Sequence, residues 1–339
     1  MTKTWKRLGQ VGLLLGVLLL LAMFYTPLNR YNPFFAYRVE RPYYTTFIDA
    51  AGNRLWATAH PVFRGDELWT GPDTRFVVRR VRNRIAHLEA APAIPLDQLW
   101  RPAQMDPAAT AAARLALPLA AKARNVALFH THVSESYIPT QGEAFVKGAG
   151  GILYVGAVFA EALQGHGFTV VHDRTSHDPH DAGAYSRSRR TALNLLRNHR
   201  PFALFDVHRD AAPLEFYQTI IDGQETSRMM LVIGRANPLQ RGNIMFARRL
   251  MAVGEGLYPD LFQGLFMGRG HYNQDLDPGM VLVEVGTYVM AQPVAERGVR
   301  LFAHVVAATA GLPGAHGSEY FAGWLQTSED VLASVIGGG

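Results

Sequence analysis

The sequence predicts an α/β protein: a mixed sheet flanked by helices, preceded by a small β module and an N-terminal transmembrane helix. Three observations predict it. After Asn125, short and uniformly apolar runs alternate with amphipathic stretches of helical length, the pattern of a sheet covered on both faces. Between 43 and 91, strand-like runs flank glycine-containing turns. At the amino terminus a long uncharged run follows a basic flank.

In chain order, the first element is the segment 1–28. Lys3, Lys6 and Arg7 precede about 20 uncharged residues from Gly9 to Leu28, enough for one helical crossing of a bilayer. The stretch across the outer end of this run, "MFYTPLNRYNPFF", is bulky and aromatic and offers no small-x-small cleavage site. An uncleaved signal-anchor is therefore expected, single-pass in the cell membrane. The basic flank places the N-terminus in the cytoplasm and the body outside. Tyr25, Tyr31, Phe34 and Phe35 suit the outer interface.

The module 43–91 has turn signals at Ala51-Gly52-Asn53 and Gly71-Pro72-Asp73. No catalytic residue stands out there, so it reads as a spacer or docking unit. A Pro/Ala-rich linker is expected over 92–124. The main domain, 125–310, carries strand candidates at 126–129, 168–171, 202–206, 216–221, 229–233 and 280–285, with helices at 152–164, 185–198, 241–254 and 293–310. The glycine-rich tail 311–339 is assigned no role.

Composition narrows the chemistry. With 48% hydrophobic and 18% charged residues the chain is globular. It has no cysteine, which excludes disulfides, thiolate zinc sites and cysteine nucleophiles, so any metal must sit on His, Asp and Glu. A net charge of +5 fits anionic partners such as cell-wall polymer or lipid. No arginine-rich block with interleaved aromatics points to nucleic acid. There is neither a phosphate-binding glycine loop nor a G-x-S-x-G elbow.

Three strand candidates end in chemistry-bearing residues. "VALFHTHVSESY" runs into His130, His132 and Glu135; "FALFDVHRD" ends in Asp206, His208, Arg209 and Asp210; "MVLVEVGT" holds Glu284 among Val281, Leu282, Val283 and Val285. Strand ends of one sheet gather on one edge, where α/β sites form. A carboxylate inside an apolar strand loses hydration unless paired or bound to a cation, and burial raises its pKa toward the range useful for proton transfer. His132, Glu135 and His208 form a His/Glu/His set that suits Zn²⁺ with an open position for water, with Glu284 as the base for that water. His130 and His132 are expected to face opposite sides, so that only one points at the metal. His177 beside Asp178 is a reserve ligand, within a stretch, 172–181, that otherwise reads as a solvated loop. The loop "GRGHYNQDLDPG" offers His271 and Asn273 to a cleft, with Gly268, Gly270 and Gly279 giving a flexible rim.

These motifs carry a resemblance. "LFHTHVSESYIP", "GHGFTVVHDRTSHD", "AYSRSRRTALNLL", "FDVHRDA" and "HYNQDLDPGMVLVEVGT" occur in the order and rough spacing of the stage II sporulation protein P family, membrane-anchored cell-wall hydrolases of endospore formers and their relatives. The likeness runs from about Thr45 to Val306 and takes in "IDAAGNRLWATAHPVFRGDELWTGPDTRFVVRRV", which looks like that family's N-terminal β module. It implies a zinc-dependent N-acetylmuramoyl-L-alanine amidase fold acting on peptidoglycan, beside a lytic transglycosylase and membrane partner proteins of the engulfment machinery. His132, Glu135 and His208 match the family's motif positions, and Glu284 matches the acid/base glutamate of "EVGT". In the wider amidase class a glutamate ligand opens the first helix. Here that region reads "GAGGILYVG", which leaves Glu135 as the carboxylate ligand and His130 or His177 as reserves. Met290 stands where the family usually has asparagine. Arg209, Asp210, His271 and Asn273 are expected on the substrate, and Arg269 is a further candidate for peptide-stem carboxylates. Alternatives of the same chemistry are a D,D-endopeptidase cutting stem crosslinks and a metal-dependent deacetylase; a non-catalytic wall-binding scaffold is the alternative of another class.

Overall fold

The computed structural model describes residues 43–94 and 125–311. Eleven strands form one sheet in the order β2-β1-β5-β4-β3-β12-β11-β13-β8-β6-β7. The N-terminal strands are β1 (Thr45–Ile48), β2 (Arg54–Thr58), β3 (Glu67–Trp69), β4 (Arg75–Arg82) and β5 (Ile85–Ala91). The rest belong to the main body: β6 (Asn125–Phe129), β7 (Thr169–His172), β8 (Ala203–Asp210), β11 (Met229–Gly234), β12 (Phe262–Gly268) and β13 (Met280–Thr287). A separate hairpin pairs β9 (Gln218–Ile221) with β10 (Gln224–Ser227). Its turn is Asp222-Gly223 with φ of 52° and 71°, the positive angles that a two-residue hairpin turn needs and that Asp-Gly tolerates.

Every residue of β8, β11 and β13 is buried, because helices cover both faces. After the short α1 (Ile138–Gln141), helix α2 (Ile152–Gly165) buries Ile152, Val155, Phe159 and Leu163 at helical spacing. Helices α4 (Gln240–Leu257) and α5 (Gln292–Thr309) join α2 on the major face: Phe159 stacks on Phe302 and Phe205 packs against both Phe302 and Phe246. The other face carries α3 (Ala184–His199), whose Ala192 and Leu195 form a cluster with Ala127, Phe129, Leu204 and Met280.

The N-terminal strands are not set apart from this sheet. β3 pairs antiparallel with β12, Trp69 opposite Leu265 and Glu67 opposite Met267. The close approach depends on Gly264, at φ +144°, where a Cβ would stand 2.1 Å from the Trp69 carbonyl oxygen. Arg248 of α4 fastens the join. Its Nε donates to the Pro72 carbonyl at 2.7 Å, its Nη1 to the Ile94 carbonyl at 2.6 Å, and its guanidinium lies 4.9 Å from the Trp69 ring centroid. The expected strands and helices of the main body are present, and β12 and β10 add to them.

Among the described residues no helix is long and apolar enough to cross a membrane. The expected anchor at 1–28, most of the expected linker and all but the first residue of the expected tail lie outside the described residues.

Candidate active site

β6, β8 and β13 run parallel, so their carboxyl ends meet on one edge of the sheet. The register decides what meets there. Glu284 lies directly across from His208, Leu282 from Asp206, and Asp206 from Phe129. Partners in a parallel ladder share a face and residues two apart share it too. Since Leu204, Phe129 and Met280 face α3, Asp206, His208 and Glu284 face that side as well.

The loop after β6 supplies the remaining groups. Beyond Phe129 the chain turns, and the Thr131 amide and hydroxyl both donate to Asp206, at 2.8 and 2.6 Å. The Tyr137 hydroxyl donates to the Val285 carbonyl at 2.9 Å and ties the loop to β13. This brings together His132, Glu135 and His208, whose donor atoms all lie within 4.8 Å of one another. Glu135 Oε1 is 3.4 Å from His132 Nδ1 and 3.3 Å from His208 Nδ1, and Glu135 Oε2 accepts the Arg209 amide at 2.9 Å. His208 Nε2 is 2.9 Å from Asp206 Oδ1, a charge contact whose geometry falls short of a hydrogen bond. His132 Nε2 is buried with no partner.

Burial opposes charge on His208, but Asp206 and Glu135 outweigh it and push the imidazole well above its ordinary pKa. Burial likewise disfavours the Glu135 carboxylate, and His208, His132 and Arg209 together hold it well below the usual range. A field that stabilises a proton between two carboxylates also favours a divalent cation. The donors are nitrogen and oxygen only, two imidazoles and one carboxylate, which fits zinc bound by two histidines and a glutamate. Asp206 beside His208 is the kind of carboxylate that orients a ligating histidine.

Glu284 is of a different kind. Burial raises its pKa above 4.5, opposed by a hydrogen bond from His60. His60 Nε2 is 2.7 Å from Glu284 Oε1, while Glu284 Oε2 is buried and unpartnered.

The other expected residues divide. His130 and His132 do part, though not by strand alternation, which would put them on one face; the turn after Phe129 separates them. His130 lies on the α2 side, where Nδ1 is 2.7 Å from the Val207 carbonyl and Nε2 is 2.8 Å from His172 Nε2. Burial pushes its pKa down to about 4. His177 also has both nitrogens engaged, with the His130 carbonyl at 2.8 Å and the Thr191 hydroxyl at 2.9 Å. Neither joins the cluster.

Arg209 is buried and turns away from His208, donating to the carbonyls of Ser136 and Ala144. The Asp210 carboxylate accepts the Ala59 and Ala211 amides and the Tyr217 hydroxyl. Asn273 donates to the Tyr185 carbonyl and the Ser188 hydroxyl. These three commit their polar atoms within the fold. His271 is exposed, and the Arg269 guanidinium lies 5.5 Å from the Phe63 ring centroid.

Three contributors were not legible beforehand. His60 arrives from the N-terminal strands. His180, in a stretch that reads as solvated loop, stacks on His132 with ring centroids 3.9 Å apart. Tyr185 packs edge-on to His132 at 5.5 Å. The signal for His180 was proximity in sequence to His177. Tyr185 lies in the family-like stretch "AYSRSRRTALNLL" and His60 within the reach of the resemblance that starts at about Thr45, though nothing in either stretch singles it out for the site.

Stage II sporulation protein P of Bacillus subtilis (strain 168) is 27% identical over 179 residues, an alignment covering 48% of this chain and 45% of that relative's length. The chain thus spans about half of the curated relative. Among solved structures, the CwlD amidase of Clostridioides difficile, in complex with the GerS lipoprotein, matches 56% of this chain and 96% of its own at 10% identity and a TM-score of 0.39. The N-acetylmuramoyl-L-alanine amidase AmiC2 of Nostoc punctiforme matches 55% of this chain and 94% of its own at 15% identity and a TM-score of 0.35. Overlaps this loose carry no weight in the functional argument. The family match does carry weight: residues 94–307 fit the model for stage II sporulation protein P, well over half of the chain, and the chain belongs to that family.

Proposed function

We propose that this protein is a zinc-dependent N-acetylmuramoyl-L-alanine amidase that hydrolyses the amide between muramic acid and L-Ala in peptidoglycan. The observation that carries the reading is the convergence of His132, Glu135 and His208 within 4.8 Å of one another, beside Glu284, buried with a bare oxygen. The first three would hold the metal. Zinc supplies, when bound, a Lewis acid for the carbonyl and acidifies water.

The chain's own groups do the proton work. Glu284 Oε2 accepts a proton from the attacking water, whose oxygen bonds to the carbonyl carbon. As the C–N bond breaks, Glu284 returns that proton to the leaving amine of L-Ala. The raised pKa of Glu284 suits this exchange, since a carboxyl must both take and release the proton. Asp206 keeps His208 oriented, and exposed His271 is available to the peptide stem. The anchor at 1–28 would hold the body on the outer side of the membrane, for wall remodelling in sporulation beside a lytic transglycosylase.

The test is product analysis. The full chain in detergent micelles is incubated with peptidoglycan, with and without chelator, alongside Glu284→Gln, and products are identified by mass spectrometry. Stem peptides beginning at L-Ala, lost with chelator and in the variant, are the expected result. Crosslinks cut with muramoyl amides intact would replace the reading by endopeptidase. No products and no bound zinc would leave a wall-binding protein.

A further inference from the structure

The loop that follows β2 delivers a histidine to Glu284 from the N-terminal strands. The delivery is built into the backbone. The Ala59 amide donates to Asp210 Oδ1 at 2.9 Å, and the His60 amide to the Thr58 hydroxyl at 3.1 Å. The imidazole packs against Phe266 and Tyr272, with centroids 5.9 and 6.0 Å away. None of these contacts involves Glu284, so the ring is set by the loop and then meets the carboxylate.

At that meeting the side chains of His60 and Glu284 are 12% and 4% exposed, and Nε2 and Oε1 are 2.7 Å apart. The second oxygen, Oε2, is buried with no partner. A carboxylate with one oxygen held and the other bare offers a single acceptor atom in a fixed direction. We propose that His60 is a positioning residue for the hydrolysis: its ring N–H holds Glu284 Oε1, so that Oε2 alone is presented to the reacting water. The proposal rests on the amidase reading above. It makes the site composite, completed by the N-terminal strands.

Other groups also act on Glu284. From β8 come His208, which favours the ionised form, and Asp210, which opposes it. The phenols of Tyr137, Tyr185 and Tyr217 all feel its charge. All of these remain in a His60 variant, so a change seen on replacing His60 reports the 2.7 Å contact itself.

The experiment uses the full chain in detergent micelles as wild type, His60→Phe, His60→Gln and Glu284→Gln. His60→Phe keeps a ring for Phe266 and Tyr272 and removes the donor; His60→Gln keeps a donor and removes the ring. Turnover of peptidoglycan fragments gives kcat and KM. Independently, carboxyl 13C shifts of zinc-free, glutamate-labelled protein give the titration of Glu284, assigned as the signal missing in Glu284→Gln. Expected for His60→Phe is a kcat lower by about 10- to 100-fold at unchanged KM, with Glu284 titrating at higher pH than in the wild type. His60→Gln should recover part of both. Full activity in His60→Phe with loss in His60→Gln would show a packing role and overturn the proposal. So would a Glu284 titration that does not move in His60→Phe, whether or not the wild type turns over. If the wild type cuts nothing while the titration shifts, the amidase reading fails and the hold of His60 on Glu284 stands.

Discussion

Glu135 and Glu284 are both buried glutamates on the same edge of one sheet, and their surroundings push them in opposite directions. Glu135 sits between two imidazoles, with the Arg209 amide on its far oxygen, and its pKa falls well below 4.5 despite burial. Glu284 sits in an apolar strand with one partner, His60, and burial raises its pKa. The difference teaches that burial alone does not set a carboxyl's chemistry; the number of cationic or N–H partners around it does. A glutamate held ionised suits a cation, and one whose pKa is raised suits a travelling proton.

The largest expected effect separates these two roles. Glu284→Gln should lower turnover by about 100- to 10,000-fold, the range for losing a general base, with zinc content unchanged. Glu135→Gln should abolish turnover together with zinc retention. Metal analysis beside kinetics checks both, and zinc lost equally from the two variants would break the distinction.

The next effect is in pH. Glu284 must be ionised to accept a proton, so the rate falls as pH falls through its raised pKa, and the acid limb of the profile should lie above 4.5. Stability has opposite signs at the two residues. The depressed pKa of Glu135 contributes stability that is present above the ordinary glutamate pKa and lost as pH falls through the folded value. The raised pKa of Glu284 contributes stability that is present below the ordinary value and lost as pH rises through the folded one. At pH 7 in chelator, Glu135→Gln should therefore melt below the wild type and Glu284→Gln should not. Thermal melts decide it, and the reverse order would contradict the comparison.

The legible part of this site was the part written into single strands. β6, β8 and β13 announce themselves as apolar runs, and their polar ends follow from parallel packing. Alternation along β8 also carried information that adjacency hid: Arg209 sits between His208 and Asp210 in sequence, yet its side chain leaves on the other face and is consumed by Ser136 and Ala144. What could not be read was long-range pairing. β3 is three residues long, and β12 is an apolar run broken by Gly264 and Gly268, so neither signals that the N-terminal strands continue the main sheet. Without that join, His60 is one histidine before a proline inside a family-like stretch, and nothing in that stretch assigns it to Glu284. Where the sequence reads as a spacer or docking unit, pairing across about 200 residues of chain brings the N-terminal strands beside the candidate site.

The smallest expected effect tests whether that join serves one glutamate and not the other. A Cβ at position 264 would lie 2.1 Å from the Trp69 carbonyl oxygen and 2.5 Å from the Trp56 ring, at a φ of +144° that side chains rarely adopt. Backbone at that distance cannot rotate aside, so Gly264→Ala must push β3 away from β12, at about 1–3 kcal/mol of stability. The disturbance reaches Glu284 through β2 and His60. Glu135 is held by His132, His208 and the Arg209 amide, all from β8 and the loop after β6, so it is spared. Gly264→Ala should thus lower kcat several-fold and leave zinc affinity within about twofold of the wild type. Zinc affinity falling in step with kcat would mean that the N-terminal strands support the whole site, and the division between the two glutamates would then lie within the main body alone.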